Sequence, residues 1–396
     1  MRQPSLNLRF STPADQVACR DLLCGGSRSF YAASLLLPRR VYEPATALYA
    51  FCRIADDEID LATRPHDAVI ALRQRLDAVY AGRPMQIPAD RALADVVHQF
   101  AVPRTLLDAL IEGFAWDAEG RIYEDISSVY AYSARVAAAV GAMMTLLMGV
   151  RDPTLLARAC DLGVAMQLSN IARDVGEDAA NGRLYLPRQW LREEGLDPDA
   201  WLANPVWNPA LGRVVARLLA AAEELYARSD EGISRLPLRC RAGIGAARHL
   251  YAEIGHEVGR RGMDSICSRA VVSPSRKAQL LPRVLAATLP RRLGSLPPLP
   301  ETSFLIEAIK AQPLGQSINA TSIKPTSIKP MSINPQGVLT PTSPIQIDRP
   351  PATVASRVLF VADLFQRLEE RDRERRQQYS GMRSPLGSSL SAVSVD

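Results

Sequence analysis

Apolar residues recur every three to four positions over most of the first 296 residues, and alternating strand-like runs are few. That period predicts helices over Leu35–Leu61, Ala68–Ala81, Val129–Met148, Leu155–Ala172, Leu211–Gly232 and Ile244–Met263. Gly, Pro and Asn clusters interrupt it at Gly82–Pro88, Pro103, Gly149–Pro153, Gly182–Pro187 and Asn204–Pro209, which is turn chemistry. The fold class this predicts is all-α, a single-domain helical bundle spanning residues 1–296.

The pattern changes at Pro297. Residues 297–351 hold 11 of the 29 prolines and a five-residue repeat: Gln316–Ala320, Thr321–Pro325, Thr326–Pro330 and Met331–Pro335. A proline every fifth residue blocks both helix and central strand. The expectation is a disordered or extended linker over 297–351, with room for a short helix within Leu296–Lys310. Beyond it, Val354, Val358, Val361, Phe365 and Leu368 return at helical spacing before a charged run, Glu369–Arg376. This predicts an amphipathic helix over 352–379, docked on the bundle or, as the weaker reading, lying on a membrane. A disordered tail, 380–396, would follow.

Composition adds exclusions. The 396 residues carry a formal net charge of +5, with 47% hydrophobic and 22% charged residues, which excludes a disordered polyelectrolyte and gives no support to nucleic-acid binding. No apolar leader opens the chain, so no secretory signal is expected. The longest uncharged apolar stretch, Val136–Val150, has 15 residues, against roughly 20 for a bilayer span, and reads as a core helix. The six cysteines form no CxxC pair or zinc spacing. Reduced thiols and a cytoplasmic location are expected, with a peripheral place on the inner membrane face left open.

Two acidic motifs carry the chemistry. Asp56 and Asp60, in Asp56-Asp57-Glu58-Ile59-Asp60, lie four apart and share a helix face. Asn170, Asp174 and Asp178 form a second stripe at i, i+4 and i+8. Like charges at that spacing oppose a helix by roughly 0.2–0.5 kcal/mol per pair. Either motif alone is compatible with a solvated acidic face. The two together, each with an arginine at short offset (Arg53, Arg173), point to divalent cations, which take oxygen ligands from carboxylates, phosphates and water. Facing acidic walls of this kind suit ionisation of an allylic diphosphate.

Further candidates are open to two readings. Ser27-Arg28-Ser29 follows Gly25-Gly26 and precedes a helical run, so it could meet a diphosphate or merely cap the helix. Arg183 and Tyr185 follow the second stripe and could close the metal site or simply end the helix. Val136–Ala142 is small-sided, which permits either close helix packing or a groove for a hydrocarbon. Residues 260–292 carry eight basic residues against Asp264 alone, a patch for diphosphate or anionic lipid, or a solvated face.

These motifs resemble the squalene/phytoene synthase family of head-to-head isoprenyl diphosphate synthases. The likeness runs through residues 20–290. It rests on Tyr49-Ala50-Phe51-Cys52-Arg53 with Asp56–Asp60, on Tyr132–Gly141, and on Gly163 with Gln167–Asp178 and Arg183–Pro187. The resemblance implies an isoprenoid synthase bundle with a central cavity. It implies Mg²⁺ (or Mn²⁺) linked to Asp56, Asp60, Asn170, Asp174 and Asp178, with no need for NADPH. Those aspartates with Arg53 and Arg173 would be catalytic. Ser27, Arg28, Ser29, Tyr49, Gln167, Tyr251 and Arg269 would contact substrate or diphosphate.

The implied reaction is condensation of two geranylgeranyl diphosphates through prephytoene diphosphate to phytoene and two diphosphates, the first committed step of carotenoid biosynthesis. The alternatives are squalene or dehydrosqualene formation from farnesyl diphosphate and, in another class, a non-catalytic assembly or binding relative. Implied partners are the prenyl diphosphate, with peripheral membrane contact and carotenoid-pathway enzymes left open, and no nucleic acid. The chain departs from the family at Ala134, where many members have an aromatic, and at Ala138, where many have glycine. Both positions are expected along the hydrocarbon cavity.

Overall fold

A computed structural model describes residues 9–286, 289, 294 and 296–312. Sixteen α-helices occur among them and no strand does. In order they are α1 Pro13–Gly26, α2 Arg28–Ser34, α3 Arg39–Asp60, α4 Pro65–Tyr80, α5 Pro88–Phe100, α6 Arg104–Ala118, α7 Ile126–Ser133 and α8 Ala139–Leu147. Then come α9 Pro153–Ala180, α10 Arg188–Glu193, α11 Pro198–Ala203, α12 Pro209–Ile233, α13 Leu238–Arg260, α14 Pro274–Gln279, α15 Leu281–Ala286 and α16 Ser303–Ala311.

Helix starts follow local chemistry. Proline stands at the first turn of α1, α4, α5, α9, α11 and α12, where its missing N–H costs no helical bond. Thr12, Asp152, Asp197 and Asn208 supply side-chain caps.

The centre of the molecule is α9, 28 residues long, or about 42 Å at 1.5 Å per residue. It packs along α12, α13, α8 and the π-helical turn Ala134–Ala138 that joins α7 to α8. Small residues make the α8–α9 crossing close. A Cβ on Gly163 would come within 2.6 Å of the Ala138 Cα, and one on Gly141 within 2.7 Å of the Ala159 carbonyl. The stretch Ile126–Leu147, 22 residues with mean hydropathy 1.2, has the length and composition of a membrane span. Here it is the core helix that the sequence predicts, with 61% of its most apolar window buried.

The structure corrects the expected linker at its start. Residues 296–312 are not an extended tether. They lie on the bundle as a strap that includes α16, and Leu305, Ile306 and Ile309 are buried in the main core. Three apolar side chains at i, i+1 and i+4 outweigh the prolines at 297, 298 and 300, which sit ahead of the helix. The repeat, the helix proposed over 352–379 and the tail all lie outside the described residues.

Candidate active site

Helices α2, α3, α8, α9, α12 and α13 enclose a cavity of about 370 Å³, within the usual size for a small-molecule site. On α9 the lining residues are Leu155, Arg158, Ala159, Leu162, Gly163, Met166, Gln167 and Asn170. Their spacing is one helix face. On α3 they are Ala45, Leu48, Tyr49 and Cys52. The two helices end alike: Tyr49, Cys52 and Asp56 repeat the spacing of Gln167, Asn170 and Asp174. Each aspartate therefore stands one turn beyond the last lining residue, and Asp178 one turn further. The acidic motifs sit at one end of a largely apolar channel.

Ser27, Tyr49, Gln167, Asn170 and Tyr251 line that same end, while Thr145, Arg158 and Ser229 are polar lining residues elsewhere in the cavity. Gly26 lets α1 end against Tyr49, since a Cβ there would fall 2.2 Å from the tyrosine hydroxyl. Phe30 stacks on Tyr49 with centroids 5.6 Å apart. Burial, offset in part by Arg53, pushes the Tyr49 hydroxyl up to about 12, so it is a neutral donor. The Ser27 hydroxyl accepts the Phe30 N–H at 3.3 Å and is the cap of α2. Backbone places Arg28 and Ser29 in α2 and Asp60 at the end of α3; their side chains are outside the described residues.

The acids are unequally compensated. Arg53 holds Asp57 at 2.6 Å and reaches Asp56 at 3.6 Å. Glu58 turns away to Arg75, which also binds the fully buried Asp90. Asp174 takes Nε of Arg173 at 2.7 Å and Nε of Arg269 at 2.8 Å. Burial would raise its carboxyl, but hydrogen bonds from Arg173 and Arg269 hold it below the usual range. Asp178 is the reverse: burial and the neighbouring Asp174 push it up to about 7, with only partial relief from Arg183.

That excess of negative charge fits a cation beside Asp178. Among the described residues, no three acid, His or Cys side chains converge into a ready-made metal cluster. The described side chains therefore do not cage a metal by themselves, and a cation held here would need further oxygen ligands to complete its shell.

Some expectations move. Ala134 and Ala138 are fully buried and do not line the cavity; Val136, Ala137, Val140 and Gly141 do. The π turn inserts an extra residue per turn and rotates the face that meets the cavity. The small-sided helix thus serves both readings, packing on one face and lining on the other. Tyr185 does not enter the cavity. It donates to Asp117 at 2.7 Å, as does Tyr132 at 2.8 Å, and its ring stacks on those of Tyr123 and Tyr132. Asp117 is a group that motif reading misses; as one of three acids in α6, with Asp108 and Glu112, it carries no sequence signal that sets it apart. All six cysteines are free.

The sequence profile of the squalene/phytoene synthase family matches residues 23–277. The phytoene synthase of Cereibacter sphaeroides is 54% identical over 311 residues, covering 74% of this chain and 88% of its own length. That of Rhodobacter capsulatus is 54% identical over 304 residues, covering 74% and 90%. A crystal structure of a dehydrosqualene synthase in complex with ligand superposes with TM-score 0.64 at 31% identity, covering 69% of this chain and 96% of that one. An all-α bundle with acidic motifs at the mouth of an apolar channel is the architecture of an isoprenoid synthase. This chain belongs to the squalene/phytoene synthase family.

Proposed function

We propose that the protein is a phytoene synthase, a prenyltransferase that joins two geranylgeranyl diphosphates head to head through prephytoene diphosphate, releasing two diphosphates. The observation that carries this reading is the 54% identity to two bacterial phytoene synthases over nearly their whole length. The cavity supports it by placing a hydrocarbon channel behind both acidic motifs.

In this reading Asp56, Asp60, Asn170, Asp174 and Asp178 hold Mg²⁺ together with the substrate diphosphate. The metal supplies Lewis-acid neutralisation of the charge that develops on the leaving group. Arg53, Arg173 and Arg269 stand beside those acids and bind diphosphate oxygens. Arg173 and Arg269, which hold Asp174 here, would be available to diphosphate oxygens if Asp174 served as a metal ligand. Tyr49, Gln167 and Tyr251 orient the allylic end at the mouth. The apolar walls from α8, α9 and α12 exclude water from the allylic cation. The product is a hydrocarbon, so we place the enzyme in the cytoplasm or on the inner membrane face, where the product can partition.

The dehydrosqualene synthase likeness makes condensation of farnesyl diphosphate the second reading. Purified protein is incubated with the C15 and C20 diphosphates separately, with Mg²⁺ and without NADPH. A C40 triene from the C20 substrate is expected. A C30 product in preference, or a requirement for NADPH, would overturn the assignment. No product from either, with the fold intact, would favour a binding role.

A further inference from the structure

The end of the channel remote from the acids is closed by a charged cluster. Leu155 and Arg158 are the deepest lining residues on α9. Arg158 lies twelve residues before Asn170, about 18 Å along the helix. It is only 1% exposed. Its Nε is 2.9 Å from Asp161 Oδ2 in an ion pair, but among the described residues neither Nε nor Nη1 makes a hydrogen bond. Its Nη2 donates to the Leu296 and Pro297 carbonyls at 3.2 and 3.3 Å. Arg228 repeats this grip from α12, donating to Asp161 at 3.0 Å and to the Pro297 carbonyl at 2.7 Å. Gly232 makes the space, since a Cβ there would be 2.4 Å from the Arg158 Cβ. One arginine therefore both lines the channel and ties down the strap that begins at residue 296.

A guanidinium edge at the end of an apolar tube is a poor neighbour for a hydrocarbon. A chain that stops short of it keeps its contacts apolar. A longer chain must press its terminal methyl groups against a buried charge that cannot retreat, because carbonyls and Asp161 hold it. We propose that Arg158, held by Asp161 and by the Leu296–Pro297 carbonyls, is the floor of the prenyl channel and sets the longest chain the site accepts. This rests on the proposed prenyl diphosphate binding, and it makes the 296–312 strap part of the specificity apparatus. Arg158 is a positioning residue here, remote from the reacting atoms.

The test is a binding ladder, independent of turnover. Dissociation constants are measured by calorimetry for the unreactive C15, C20 and C25 thiolodiphosphates with Mg²⁺. The full-length wild type should bind the C25 ligand at least about tenfold more weakly than the C20 ligand. Arg158→Met, which removes the charge and keeps much of the bulk, should abolish that step while changing C15 affinity little; Leu155→Ala, which leaves the Arg158 guanidinium in place, should keep it. Arg228→Gln, which frees the strap without touching the lining, should reduce it. Leu155→Ala leaves the Arg158 contacts untouched, so loss of the C25 penalty there would place the limit in Leu155 and decide the matter if Arg158→Met fails to fold. Equal wild-type affinity for C20 and C25, loss of the step in Leu155→Ala, its retention in folded Arg158→Met, or no binding of any ligand would overturn the proposal. Failure to turn over the C20 diphosphate while the ladder holds would defeat the proposed reaction and leave the floor standing.

Discussion

At the scale of single residues, the contrast between Asp174 and Asp178 decides what each can do. Asp174 is already neutralised by two guanidiniums, whereas Asp178 has a like charge one turn away and stands at about 7. Removing the Asp178 charge should therefore stabilise the metal-free protein and harm the enzyme. Asp178→Asn is expected to raise Tm by a few degrees in chelator and to lower kcat by roughly 10²–10³. Asp174→Ala should cost as much activity with no gain in Tm, because it strands Arg173. Thermal melts in chelator beside steady-state assays separate the two; a lower Tm in Asp178→Asn would make that acid structural.

A second residue-scale prediction concerns His256. Its Nε2 and Nδ1 each lie 3.2 Å from a carboxylate, Glu223 and Glu253. The hydrogen bond to Glu223, opposed by burial and helped by Glu253, raises its pKa above the ordinary 6.5. A raised histidine stabilises the fold fully below its unfolded value and loses that contribution as pH climbs through the folded one. His256→Gln should thus lose Tm relative to wild type at about pH 5.5 and match it at about pH 8.5. The same difference at both values would show that the ring acts by packing alone.

Among the elements, α8 and α9 show why part of the site was legible in advance. The i, i+4, i+8 stripe survives any helix, so Asn170, Asp174 and Asp178 were visible before any packing was known. The cavity-facing side of Val136–Ala142 was not, because a π turn shifts the register and no residue in Ala134–Ala138 announces one. Asp117 and Arg158 were hidden for a related reason: nothing in the local pattern sets them apart from neighbouring charges such as Glu112 and Asp161, and only tertiary contacts show what holds them. The glycines give a sharp test. At Gly163 the obstacle is the Ala138 backbone, which cannot swing aside as a side chain could. Gly163→Ala should cost about 1–3 kcal/mol, read as a fall in the denaturant midpoint at constant slope. A loss below about 0.5 kcal/mol would mean that the helices separate freely.

For the whole molecule, the question is where the working chain ends. Pattern placed the boundary at 296, because proline density rises there. Burial moves it to at least 312. Leu305, Ile306 and Ile309 are each 3% exposed or less, and at about 1.5–3 kcal/mol per buried side chain they contribute at most roughly 4.5–9 kcal/mol. Arg151 fastens the far end, donating to the Gln312 carbonyl at 3.0 Å and to Phe100 and Ala101 carbonyls at 2.9 and 2.8 Å. Total stability is typically only about 5–15 kcal/mol, so the strap is a large part of it. A chain ending at residue 295 should melt far below wild type or fail to fold. A chain ending at 312 keeps every residue assigned to the site, the channel floor and the strap, and it should retain both Tm and kcat. A large fall in kcat for that second truncation, at unchanged Tm, would give residues 313–396, the repeat among them, a direct part in turnover. Full activity in the first would show that the bundle closes its channel without the strap.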